Sequence, residues 1–127
     1  MNDDNLLYKT ETFAIRGAVF EVWKQMGTGF LESVYQECLS REFAARTIPA
    51  VAHMELRLAY KGEPLGQTFK PDFVCYEKII VELKHTKSLI DDHRAQVLNY
   101  LRATDMKLGL LVNFGSYPKA QIERFVL

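Results

Sequence analysis

The period of the apolar residues changes twice along this chain, and that change limits the folds open to it. From Thr10 to Met26, Ile15, Ala18, Val19, Val22 and Met26 recur at helical spacing. Thr10 is placed to cap the start of this helix and Gly27 to stop it. A second helix is predicted from Leu31 to Arg46, with Val34, Cys38, Leu39 and Phe43 on one face and Ile48-Pro49 marking its end. At Met54 the period becomes two: Met54, Leu56, Leu58 and Tyr60 alternate with Glu55, Arg57, Ala59 and Lys61, the pattern of a half-buried strand. After a turn at Lys61–Pro64, a second strand is expected from Leu65 to Cys75 and a third from Ile79 to Lys84. Helical spacing returns from Leu89 to Ala103. Leu108–Phe114 is a continuous apolar run suited to a buried strand, and Gln121–Val126 reads as a last edge strand. The order ααβββαβ, with a final β, predicts a three-stranded meander followed by a helix and a further strand: an α/β sandwich around a mixed sheet.

The length of 127 residues suits one domain over 1–127, with residues 1–9 as a flexible N-terminus. Hydrophobic residues at 48 % and charged residues at 25 % exclude a disordered chain, a collagen and a coiled coil. Sixteen basic residues balance sixteen acidic ones, so any contact with nucleic acid must come from a local patch. Cys38 and Cys75 stand in no metal or redox spacing and read as small buried hydrophobes. No apolar run is long enough to cross a bilayer, and the acidic start Met1–Asn5 lacks the character of a leader; a cytoplasmic protein without a membrane partner is expected.

The feature with most chemical content is Pro71-Asp72 followed by Glu82-Leu83-Lys84. Strand side chains alternate, so Glu82 and Lys84 share one face while Val81 and Leu83 point to the core. Two carboxylates, a backbone carbonyl and water are what a hard divalent cation takes. A neighbouring lysine could orient an attacking water or stabilise charge developing on a phosphate. Whether Asp72 reaches Glu82 depends on the hairpin between them. A two-residue turn puts Asp72 on the wrong face. A three-residue connection, Tyr76–Lys78, or a bulge, places it opposite Glu82. The competing explanation is an ordinary ion pair between Glu82 and Lys84 on a solvated strand.

On the third helix His93, Gln96 and Tyr100 form a polar stripe opposite Val97, Leu98 and Leu101. This is either the wet side of an amphipathic helix or a set of groups beside the carboxylates. Glu32 and Tyr35 are one turn apart at the start of the second helix. There Glu32 also complements the helix dipole, and Tyr35 suits the edge of a core.

Taken together, these segments resemble a known family. Gly29, Glu32 and Tyr35 match the pattern that names the GxxExxY proteins; Asp72 with Glu82-Leu83-Lys84 matches the PD-(D/E)xK nuclease signature; and DHRAQVLNYL, with His93, Gln96 and Tyr100, is similar to the family's third-helix motif. The likeness extends from about Thr10 to Val126, and separated motifs in the right order make it more specific than any one alone. Trp23 stands where many relatives have His or Tyr, and Thr28 where Pro or Tyr is common; neither falls at the proposed site.

The resemblance implies a restriction-endonuclease-like αβββαβ core with an extra N-terminal helix, and a phosphodiesterase using Mg²⁺ or Mn²⁺. Carried over by residue, Asp72 and Glu82, with Glu32 and the Leu83 carbonyl, would hold the metal; Lys84 would be the catalytic lysine; Gln96 and Tyr100 would support it. Lys84, His85, Lys87, His93 and Arg94 are the expected nucleic-acid contacts, with DNA the expected substrate. A homodimer is compatible with cutting two strands. A nuclease fold that binds nucleic acid or protein without cutting is the alternative, because fold alone does not establish function.

Overall fold

The computed structural model describes residues 6–127; the acidic start of the expected flexible N-terminus lies outside them. The elements are α1 (Lys9–Met26), α2 (Glu32–Ala45), β1 (Ala50–Ala52), β2 (Leu56–Tyr60), β3 (Glu63–Phe69), β4 (Phe73–Cys75), β5 (Ile79–Lys84), α3 (Asp91–Thr104), β6 (Leu108–Asn113) and β7 (Gln121–Val126). β1, β4, β5, β6 and β7 form one sheet in that spatial order. Only the β5–β6 pair is parallel, because α3 carries the chain across between them. This is the mixed α/β sheet flanked by helices expected of a restriction-endonuclease-like fold.

The central strands β5 and β6 are buried on both faces, which explains the unbroken apolar runs Ile79–Val81 and Leu108–Val112. On one face Ile15, Val19 and Val22 of α1 and Tyr35, Leu39 and Phe43 of α2 close over Val81, Leu83, Leu110 and Val112. On the other, Val97 and Leu101 of α3 cover Ile80 and Leu111. Gly109 permits that approach, since a Cβ there would lie 2.7 Å from Val97 Cγ1. Helix α1 starts at Lys9, one residue before the expected cap at Thr10. Its first turn is tied by Thr12 Oγ1, which donates to the Tyr8 carbonyl at 3.0 Å.

The expected meander is not formed. β2 and β3 make a separate two-stranded hairpin, and the second predicted strand, Leu65–Cys75, is interrupted at Lys70–Asp72. Pro71 has no N–H to give a ladder at this break. The edge of β4 that the hairpin would have occupied is taken by β1, a strand the periodicity did not mark. His53, at φ 54°, then turns the chain out of the sheet. The hairpin packs instead on α3, where Phe69 stacks on Tyr100 with ring centroids 4.3 Å apart.

Candidate active site

β4 begins at Phe73, opposite Val81, whereas β5 runs on to Lys84. The last residues of β5 therefore have no strand on that side, and side chains take over its backbone groups. The β4–β5 connection is the three-residue one, Tyr76–Lys78, with Tyr76 and Glu77 both left-handed at φ 55° and 62°. Extending the register by one pair sets Asp72 against Glu82. Asp72 Oδ2 accepts the Leu83 N–H at 2.7 Å, and Glu82 Oε1 accepts the Asp72 N–H at 2.8 Å. These reciprocal bonds continue the ladder through two carboxylates.

Glu82 is only 5 % exposed. Burial, reinforced by the neighbouring Asp72 carboxylate, pushes its pKa up to about 8. Asp72 is also raised, first by burial, with Glu32 adding to the effect. Tyr100 is raised by burial and then by the Glu82 charge, so α3 faces the carboxylates across the sheet surface. Gln96 Nε2 donates to Tyr100 Oη at 3.0 Å.

A cavity of about 230 Å³ opens beside the carboxylates, lined by Glu32, Ser33, Gln36, His53, Asp72 and Leu83. Gln36 Nε2 donates to the Asp72 carbonyl at 3.1 Å, which leaves Gln36 Oε1 buried without a partner. His53 donates its N–H to the same carbonyl at 3.2 Å and sets Nε2 3.8 Å from Asp72 Oδ1. The chemical reading of the sequence missed Ser33, Gln36 and His53. The first two had a signal: Glu32, Ser33 and Gln36 share one polar face of α2, at i, i+1 and i+4. His53 had none, because it arrives through the unforeseen β1.

Gly29, Glu32 and Tyr35 converge on the end of β5. The Gly29 N–H donates to His85 Nε2 at 3.0 Å, and Glu32 Oε2 accepts the His85 N–H at 3.3 Å. Tyr35, fully buried, stacks between His85 and Phe114; its hydroxyl donates to the Gly27 carbonyl at 2.6 Å and accepts the Phe30 N–H. The three residues thus bolt the α1–α2 turn to the strand carrying Glu82 and Lys84. Tyr35→Phe removes the hydroxyl from both bonds. It is expected to cost about 1–3 kcal/mol, read as a lowered midpoint of denaturant unfolding; an unchanged midpoint would show that the clamp carries no stability.

Of the five basic or imidazole residues expected to meet nucleic acid, three are engaged within the chain. His85 receives Gly29, and His93 Nδ1 accepts the Ile90 N–H at 3.2 Å. Arg94 is closed by Glu123, at 2.7 Å, and Asp91, at 2.9 Å, so its charge is already answered. Lys84 and Lys87 enter no ion pair among the described residues.

The donor set suits a cation of the Mg²⁺ class in one respect and departs from expectation in another. Two carboxyl groups lie side by side, and burial together with Asp72 raises the pKa of Glu82, a cost that a bound cation would offset. The Leu83 carbonyl points to the same side as its N–H, toward Asp72. Mg²⁺ is commonly held by one or two carboxylates with water completing its shell. However, no three His, Cys, Asp or Glu side chains form a metal-holding group among the described residues. Glu32 is turned to the His85 backbone instead of joining Asp72 and Glu82.

No helix is long and apolar enough to cross a membrane among the described residues. No curated protein matches the chain. The crystal structure of SSO0001 superposes with a TM-score of 0.51 at 14 % identity, covering 91 % of this chain and 76 % of that one, a likeness of fold alone. The model of the PD-(D/E)XK nuclease superfamily matches residues 9–125, from the first residue of α1 into β7 and across the Asp72–Glu82–Lys84 ladder. By that match the chain belongs to the PD-(D/E)XK nuclease superfamily.

Proposed function

We propose that this protein is a divalent-metal-dependent nuclease of the GxxExxY type, hydrolysing phosphodiester bonds of nucleic acid at the Asp72–Glu82–Lys84 ladder. The observation carrying this is the ladder through two carboxylates, in which Asp72 accepts the Leu83 N–H at 2.7 Å and Glu82 accepts the Asp72 N–H at 2.8 Å, with both carboxyl pKa values raised and Lys84 following on the same strand face. An ordinary surface ion pair with Lys84 would instead lower the pKa of Glu82.

Asp72, Glu82 and the Leu83 carbonyl would hold Mg²⁺ or Mn²⁺, with His53 and Gln36 Oε1 on the cavity wall beside them. When bound, such a cation polarises a phosphate oxygen and makes coordinated water a better nucleophile near neutral pH. Lys84 supplies a positive charge to the phosphate as negative charge builds on it. The Gln96–Tyr100 pair fixes a hydroxyl beside Glu82. Glu32, Ser33 and Gln36 of α2 form one wall of the cavity beside the site. DNA is the proposed substrate.

The test is cleavage of labelled single-stranded, duplex and branched DNA, and of RNA, with Mg²⁺ and then Mn²⁺. Wild type is expected to cut at least one substrate. Lys84→Ala should retain metal binding by calorimetry and lose about a hundredfold or more in turnover. Unchanged turnover would remove Lys84 from the chemistry. Retarded but uncut substrate across the panel would favour a binding module on a nuclease fold.

A further inference from the structure

We infer that the outer face of α1, continued by the β6–β7 loop, is a binding track for a single strand of nucleic acid leading to the site. The choice of occupant rests on the nuclease reading above. Along α1, Phe13, Arg16, Phe20 and Trp23 recur every three or four residues on one side; Phe13 and Arg16 are exposed, while Phe20 and Trp23 are half-buried, one edge packed against the core. Phe13 and Tyr117, each 79 % exposed, are the two most exposed large hydrophobic side chains among the described residues. Two cations lie over one ring: the Arg16 guanidinium is 5.5 Å and the Lys119 ammonium 5.6 Å from the Phe20 centroid. Trp23 meets Tyr117 at 5.9 Å between ring centroids and pins that loop by donating Nε1–H to the Ser116 carbonyl at 3.1 Å.

The charge on this face is of one sign. Between the directions of Trp23 and Phe13 the helix presents Lys9 and Arg16, with Lys24 just beyond Phe13, and no acid. Glu21 lies on a flank, accepting from Gln25 at 2.8 Å, and Glu11 lies on the far side of the helix, paired with Lys78 at 3.0 Å. In a chain of zero net charge this is a segregated basic stripe. Aromatic faces interleaved with cations suit a strand whose bases are unstacked and whose phosphates alternate with them. A duplex hides its base faces and offers nothing to Phe13 or Tyr117.

Position links the stripe to the site. The loop bearing Tyr117 and Lys119 packs on Thr86, two residues beyond Lys84: Asn113 Oδ1 accepts the N–H groups of both Thr86 and Gly115. A strand lying on α1 therefore has a path over Tyr117 toward Lys87 and Lys84. From Phe13 to Trp23 the helical part measures about 15 Å.

Trp23 is the only tryptophan in the chain, so it reports on its own surface. A single-stranded oligothymidylate titrated into the full protein without divalent cation is expected to quench its fluorescence. Phe13→Ala with Tyr117→Ala should weaken binding about tenfold or more. Arg16→Ala with Lys119→Ala should lower the slope of log affinity against log salt by about 1.4, two phosphates' worth. All four side chains are off the core, so unchanged thermal midpoints verify the fold. Wild-type affinity and salt slope in both pairs would overturn the track. So would loss of a dimer in sedimentation, or binding of phosphatidylserine vesicles with no binding of oligonucleotide. Cleavage of the same oligonucleotide with Mn²⁺ separates the two claims. Cutting by wild type together with indifferent variants leaves the nuclease reading and removes the track. Track-dependent binding without cutting does the reverse.

Discussion

Glu82→Gln should make the metal-free protein more stable in alkaline solution while removing its proposed activity. Glu82 is buried and its pKa is raised to about 8, so the folded protein holds this proton more tightly than the unfolded chain does. The stabilisation linked to the proton is complete below the unfolded value near 4.5 and is lost as pH rises through about 8. At pH 9 the wild type carries a buried anion beside Asp72. Glutamine stays neutral and still offers an oxygen to the Asp72 N–H. In EDTA the variant is expected to gain on the order of 2 kcal/mol or more at pH 9, a rise of about 5 °C or more in thermal midpoint. Near pH 4.5 the two proteins should melt together. With Mg²⁺ or Mn²⁺ present, loss of one charged ligand is expected to lower cleavage by about a thousandfold or more. A variant no more stable than wild type at pH 9 would mean that Glu82 is not held against its charge. A stable variant that cleaves normally would take Glu82 out of the metal site.

The second large effect is expected at Gly115. A Cβ there would stand 2.7 Å from the Thr86 nitrogen and 2.9 Å from its carbonyl carbon, and these are backbone atoms that no rotamer change can move aside. Thr86 is also gripped by Asn113, fully buried, whose side chain accepts the Thr86 N–H at 3.0 Å and donates to its carbonyl at 2.9 Å. The Phe114 N–H donates to the Lys84 carbonyl at 2.9 Å just beside it. Gly115→Ala must therefore separate the β6–β7 loop from the segment that follows Lys84. It is expected to cost about 3 kcal/mol, the upper end for overpacking, and to lower the thermal midpoint by roughly 10 °C. Proteolysis should quicken between His85 and Leu89. A midpoint within about a degree of wild type would show that the two loops part without cost.

The alternation of Ile79–Lys84 sufficed to place Val81 and Leu83 inward and Glu82 on the opposite face, because strand geometry leaves one choice. The same parity reasoning required a three-residue connection for Asp72 to reach Glu82, and the register has it. The alternation of Met54–Tyr60, by contrast, says only that a strand has one drier face. It is silent on which neighbour the strand pairs with, and here the hairpin packs on α3 while β1 takes the sheet edge. Ala50–Ala52 is too short to show a period at all. The same displacement hid His53, which enters the site only through the β1–β4 pairing. Asn113 was concealed inside an apolar run, where its one polar side chain looked like an interruption rather than the clamp on Thr86. Arg94 and His93 are charged or titratable by type, but only the folded chain brings them to partners of its own.

Asp72 is the keystone of an arch. Its amide rests on Glu82, its carboxylate carries Leu83, and its carbonyl receives both Gln36 and His53. Three separate spans of the chain lean on one residue, and three of its four hydrogen bonds use its backbone, which no substitution of its own side chain removes. A change at Asp72 is therefore a change of masonry as well as of chemistry. Replacing it would loosen the seat of Leu83 at the same moment as it deletes a ligand. Lost activity in an Asp72 variant would confound a missing oxygen with a shifted strand, whereas Lys84 can be altered, and Glu82 exchanged for glutamine, with the arch still standing.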